Sequence, residues 1–174
     1  MNSLQEMFPS LTLFSDLDWN TVTAEYKTEY EGLTFPEYLQ QKAIDGDCPT
    51  YLFELAFYEQ AIFDVKNSAA QIPNRPAVYL NPTALFLELE FDIKRMLLDA
   101  QAGKIEIHQR PHVLCIYRDT KSNICTMELN ARELSLLQHL ENGPQFDRSF
   151  LDQKLQPFYE NFKQNELILD LLSL

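Results

Sequence analysis

Two histidines, His108 and His112, stand four residues apart, the spacing that lets two imidazoles share a metal from one helix face. Pro111 lies between them and the flanking residues read as loop and strand, so the helical form of that motif fails. No third ligand is evident nearby, and no metal residues are assigned. Cys48, Cys115 and Cys125 form no CxxC or other ligand spacing. Cys115 and Cys125 fall on opposite arms of a predicted hairpin and can face each other there, as a pair of reduced thiols. Glu59 sits on the apolar side of a predicted helix, where a carboxylate must be paired, protonated or reaching for the edge. A structural role, accepting bonds from an arginine or from backbone amides, is the reading adopted for it.

The patterns of familiar enzymes are missing. Glycine occurs only four times, and none of the four belongs to a GxGxxG or GxxxxGK phosphate loop. There is no GxSxG elbow and no Cys-His signature of a known kind. Carboxylates are plentiful, but on a chain of formal charge −12 they make a solvated face before they make a catalytic dyad. The expectation is a protein without catalytic residues and without a cofactor.

That charge, with a pI of about 4.6, opposes binding driven by nucleic-acid phosphates, which relies on Lys and Arg to release counterions. It suits solubility and basic partners such as peptides. The 174 residues are 45% hydrophobic and 12% aromatic, enough for a genuine core in one domain or two small ones. An odd cysteine count, no signal-peptide pattern at Met1 and no apolar run of about 18 residues predict a soluble, cytoplasmic protein.

The elements follow from local signals. The most apolar run, Pro49 to Val65, is a helix extending to Asn67, with Leu52, Leu55, Ala56, Ile62 and Phe63 on one face and Glu54, Gln60, Asp64 and Asn67 opposite. Phe53 and Phe57 fall in or beside its polar sector. The helix is therefore either buried between other elements or offers a second apolar side to a partner, and these two residues are the candidate partner-binding pair. Before it, residues 1–12 hold at best one helical turn and then an extended piece. Residues 18–30 are a helix capped by Asp16 or Asp18, with Trp19, Val22, Tyr26 and Tyr30 as a core stripe. Residues 35–44 are a second helix with Pro36 at its start.

The stretch 67–82 carries three prolines and reads as a loop or ordered linker, dividing a helical domain, 1–72, from an α+β domain, 73–174. Alternation favours a strand at 83–90, with one long helix from Pro82 to Ala102 as the alternative. Residues 91–101 are then a helix stopped at Gly103. Residues 111–118 and 124–129 form a hairpin around the DTKSN turn, and Asn130 with Glu133 caps a helix through 141 that ends at Gly143-Pro144. Helices at 146–155 and 157–165 follow, and the tail ELILDLLSL is either a last helical stretch or a closing strand. The fold class is α+β, the second domain holding a hairpin and winged-helix-like helices. In a DNA-binding use of that shape the recognition helix would present Arg148, Gln153 and Lys154 against Asp147 and Asp152. That is a thin basic face, better suited to protein contact.

FPSL at 8–11, FPEYL at 35–39, PTYLFELAFYE at 49–59 and the block from Ile116 to Phe146 occur in that order. The set resembles a bacterial family of uncharacterised proteins labelled as a DNA-binding domain, over about residues 8–150. That family has an N-terminal helical domain with a proline, leucine and LA-x-x-E core helix, followed by an α/β domain with a YR strand. It usually has a longer helical lead before FP, where this chain has seven residues. The label implies a DNA-binding transcriptional regulator. The better-understood relatives imply a partner subunit of metal-dependent TIM-barrel oxidases that modify cysteines in ribosomally made peptides, as in methanobactin biosynthesis. There the partner helps hold the peptide and the iron sits in the other chain. The acidic charge and the second apolar side of the 49–67 helix favour the partner reading, with DNA regulation as the alternative.

Overall fold

The computed structural model describes residues 4–15, 18–30, 32–71, 77–141 and 154–171. It is α+β, as expected. The chain forms two compact units, each drawn from two stretches of sequence: Met1–Phe63 with Glu88–His112, and Asp64–Leu87 with Val113–Leu174.

The first unit is mainly helical. Short helices α1 (Leu4–Met7) and α2 (Leu11–Phe14) occupy the region expected to hold one turn and an extended piece. Pro9 has no amide to donate, so a continuous helix across it would lose a bond, and the chain breaks into two short segments instead. Helix α3 (Trp19–Glu29) starts at Asp18, whose Oδ1 accepts the amides of Asn20 at 3.1 Å and Thr21 at 3.5 Å. None of its residues is fully buried, yet its stripe packs inward on aromatics: Trp19 and Tyr26 meet the Phe35 ring, and Tyr26 and Tyr30 meet Tyr38. Helix α4 (Phe35–Ile44) has the predicted bounds and opens with a capping box. Thr34 Oγ1 accepts the Glu37 amide, and the Glu37 carboxylate accepts the Thr34 amide at 2.6 Å.

Helix α5 (Thr50–Asn67) is the long apolar element, with Leu52, Leu55, Ala56 and Val65 buried. Helix α6 (Ile93–Gln101) buries Ile93 and Met96 and is capped by Asp92. It ends at Ala102, ahead of Gly103, whose φ of +78° suits glycine and turns the chain back.

The second unit is built around a core of Val78, Cys115, Tyr117, Leu136, Leu137, Leu140, Tyr159, Phe162 and Ile168. Strand β2 (Leu85–Phe91), whose residues from Glu88 belong to the first unit, bears out the strand over the long-helix alternative. Strands β3 (Gln109–Arg118) and β4 (Ile124–Leu129) form the predicted hairpin, Val113 opposite Leu129 through Arg118 opposite Ile124, and the sheet order is β2-β3-β4. Helix α7 (Ala131–Glu141) begins with the expected box: Asn130 Oδ1 accepts the amides of Arg132 and Glu133, and Glu133 accepts the Asn130 amide. Helix α8 (Gln156–Gln164) buries Tyr159 and Phe162. The helix expected at 146–155 lies outside the described residues but for its last two.

One element was not expected. Strand β1 (Val78–Leu80) lies inside the proline-rich stretch read as loop or linker, and it pairs antiparallel with β5 (Ile168–Asp170). Three residues are too few to show a period, and this strand exists because the tail folds back onto it. The same pairing decides the tail, which closes as a strand.

Candidate functional site

The predicted partner pair sits on α5. Phe53 and Phe57 are both half-buried, and their rings meet edge to face with centroids 6.1 Å apart, a favourable aromatic contact in its own right. Of the residues proposed for DNA, Arg148 and Gln153 lie outside the described residues, and Lys154 is exposed in the turn before α8.

The helical wheel misplaces Glu54. It lies opposite the main apolar face and was expected in the polar sector, but it is only 5% exposed. Its two carboxylate oxygens accept the Glu90 amide at 3.1 and 3.0 Å, and Oε2 also accepts the Phe91 amide at 3.1 Å. Burial pushes its carboxyl above the usual range while these two amides pull the other way. Glu59 takes the structural role expected of it. Oε1 accepts the Ser10 amide at 3.1 Å, Oε2 is buried with no partner among the described residues, and burial raises the carboxyl.

The histidines part company. His112 Nδ1 lies 2.8 Å from the carbonyl of Arg110 on its own strand. His108 instead approaches two acids: its Nε2 is 2.7 Å from Asp99 Oδ2 and 3.7 Å from Glu106 Oε2. His112 is not part of this group, and Asp99 reaches His108 through the turn after α6. The Lys104 amide donates to the Asp99 carbonyl at 2.9 Å and fixes that turn. Asp99 Oδ2 also accepts Arg95 Nε at 3.0 Å.

The cysteines do not face each other. Across the hairpin Cys115 stands opposite Met127, and Cys125 opposite Tyr117. Burial pushes the Cys115 thiol up to about 12, and Cys48 and Cys125 are raised for the same reason, so none of the three is a ready thiolate at neutral pH.

A pocket of about 300 Å³ in the second unit is lined by Asn81, Thr83, Arg118, Thr120 and Ser122 among others. Several of its polar groups are engaged by the surrounding chain. Arg118 Nη1 and Nη2 donate to the carbonyls of Lys66 and Ser68, and Thr120 Oγ1 donates to Glu166. Asn81 Nδ2 donates to the carbonyls of Arg118 and Glu166, both at 2.9 Å, and its Oδ1 accepts from the amide and hydroxyl of Thr83. This is a tied junction of backbone segments.

A more open feature lies ahead of β3. Strand β4 pairs with β3 only from Val113 onward, so residues 105–112 have no strand beside them on that side among the described residues. Ile105 and Ile107 lie just ahead of the strand and remain 57% and 41% exposed. Pro111 lacks an amide and marks the stretch as an edge.

Comparison with known proteins assigns the second half. Residues 81–174, more than half of the chain, match the family described as the HvfC C-terminal domain. The chain belongs to that family. Among curated proteins none matches it. The HvfC C-terminal domain so defined takes in β2, α6, the hairpin, α7, α8 and β5, and with them His108, the open 105–112 stretch and the tied junction at Asn81. Helix α5 with Phe53 and Phe57 lies ahead of it.

Proposed function

We propose that the chain is a non-enzymatic partner subunit that recognises a peptide and acts with a metal-dependent TIM-barrel oxidase in ribosomal peptide modification. The observation that carries this reading is the open extended stretch at 105–112. Its strand part, from Gln109, runs ahead of the pairing with β4 and follows two exposed isoleucines, a setting that suits uptake of an extended peptide at a strand edge. Membership of the HvfC C-terminal domain family and the resemblance of the motif order to oxidase partner subunits support the same reading. The charge of −12 suits a basic peptide better than a phosphate backbone. On this reading Phe53 and Phe57 belong to a second surface, which meets the oxidase.

The test is a tagged pull-down from the native cell at moderate salt, with mass spectrometry of what co-elutes. A stoichiometric metal-dependent barrel protein or a small Cys-containing peptide is expected. Recovery of specific DNA fragments that are lost as salt rises would overturn the reading in favour of a regulator.

A further inference from the structure

We propose that Asp99, Glu106 and His108 form a binding site for one divalent transition-metal ion of the zinc class, which fastens the extended stretch after α6 to the end of that helix. One ligand atom from each residue lies within 4.8 Å of the other two, so a single ion can be shared by small side-chain rotations. The three come together for backbone reasons. Glu106 and His108 stand two apart in the segment between α6 and β3, and His108 Nε2 lies 3.7 Å from Glu106 Oε2. Asp99 is supplied by the last turn of α6, and the Lys104 amide bond to its carbonyl, with Gly103 at positive φ, sets the bend that brings it opposite.

The donor set selects the class of ion. One imidazole and two carboxylates suit zinc and its neighbours, whereas magnesium and calcium prefer sites made of oxygen alone. Three protein ligands leave a further position for water or for a partner's side chain. The local charge also fits. Two carboxylates less the Arg95 guanidinium leave one negative charge, and Arg95 Nε already holds Asp99 Oδ2 from outside, orienting it. In the metal-free protein His108 Nε2 and Asp99 Oδ2 lie 2.7 Å apart. An ion between these atoms would be held by the neutral imidazole through Nε2, with the ring proton on Nδ1. Nothing in this requires the peptide-partner reading.

The test is calorimetric titration of the full chain with Zn²⁺ alone, comparing the unsubstituted protein with His108→Gln and Glu106→Gln. Glutamine at 108 keeps a donor for Asp99, and Glu106 is 55% exposed, so both variants retain the fold. One equivalent of zinc is expected, with affinity falling at least about tenfold in each variant. Absence of binding overturns the site, and equal binding by the His108→Gln protein overturns it in favour of His112 or His139 as adventitious ligands. A second readout uses paramagnetic Co²⁺, which should broaden the amide resonances of Ile105 and Ile107 before those of the 124–129 strand. Broadening without that preference also overturns it.

Discussion

Glu54 holds the amide of Glu90 with both of its carboxylate oxygens, at 3.1 and 3.0 Å, and so ties the N-terminal part of α5 to the end of β2. A buried carboxylate is tolerated only where donors replace its lost water, and the amides of Glu90 and Phe91 do so here. Glu54→Ala strands both amides and should lower the unfolding free energy by about 3 kcal/mol. Glu54→Gln keeps one acceptor oxygen but turns an NH₂ group towards the donors, and should lose about half as much. Urea denaturation measures both. Losses within error for the two variants would show that this contact does not hold the strand.

Glu59 titrates in a way that separates it from a surface acid. Its folded-state pKa is raised above the ordinary 4.5 by burial, so the protonated form favours folding. The stabilisation is complete below the unfolded value and is lost as pH rises through the folded one. The wild type should therefore gain stability relative to Glu59→Gln as pH is lowered from about 7.5 to about 5. Parallel pH profiles for the two proteins would contradict a raised carboxyl.

Asn81 uses every hydrogen-bonding position of its side chain, two as donor and two as acceptor. Asn81→Ala should cost about 3 kcal/mol, because the carbonyls of Arg118 and Glu166 lose their common donor. Asn81→Asp should cost more, since it aims a charge at both carbonyls. A thermal melt ranks the two. If the aspartate variant is the milder one, the junction has rearranged around it.

Phe53 and Phe57 have a stabilising role in each other's contact and, in the partner reading, a binding role as well. Phe53→Ala should weaken complex formation with the oxidase at least about tenfold, the loss expected of an aromatic anchor. Because the ring is only half-buried, its cost in stability should stay near 1–2 kcal/mol, below the range for a fully buried phenylalanine. Should every substitution at these two positions unfold the protein, the pair is core and that surface is excluded.

The open stretch makes a separate prediction. Ile107→Lys places a charge where an apolar peptide side chain would lie, leaves the melting temperature within about 2 °C and should reduce peptide affinity markedly. Fluorescence anisotropy with a labelled peptide reads it. Unchanged affinity would move peptide recognition elsewhere.

The sequence by itself determined the elements whose causes lie within a few residues. Asp18 and Asn130 cap the helices that follow them, Pro36 opens α4, Gly103 stops the chain after α6, and the alternation of leucines with Glu88 and Glu90 makes β2. Each rests on bonds or periodicities that span four residues or fewer, so a linear reading finds them. Tertiary structure alone decided the rest. Val78 to Leu80 is a strand because Ile168 to Asp170 returns to pair with it, and no period in three residues announces that. Glu54 is buried because the end of β2 arrives with two free amides, although the wheel of its own helix puts it on the polar side. Asp99 stands beside His108 because a glycine turn reverses the chain between them. In each case the partner lies beyond the reach of a four-residue pattern, and the energy of the contact belongs to the pair and not to either residue's neighbourhood.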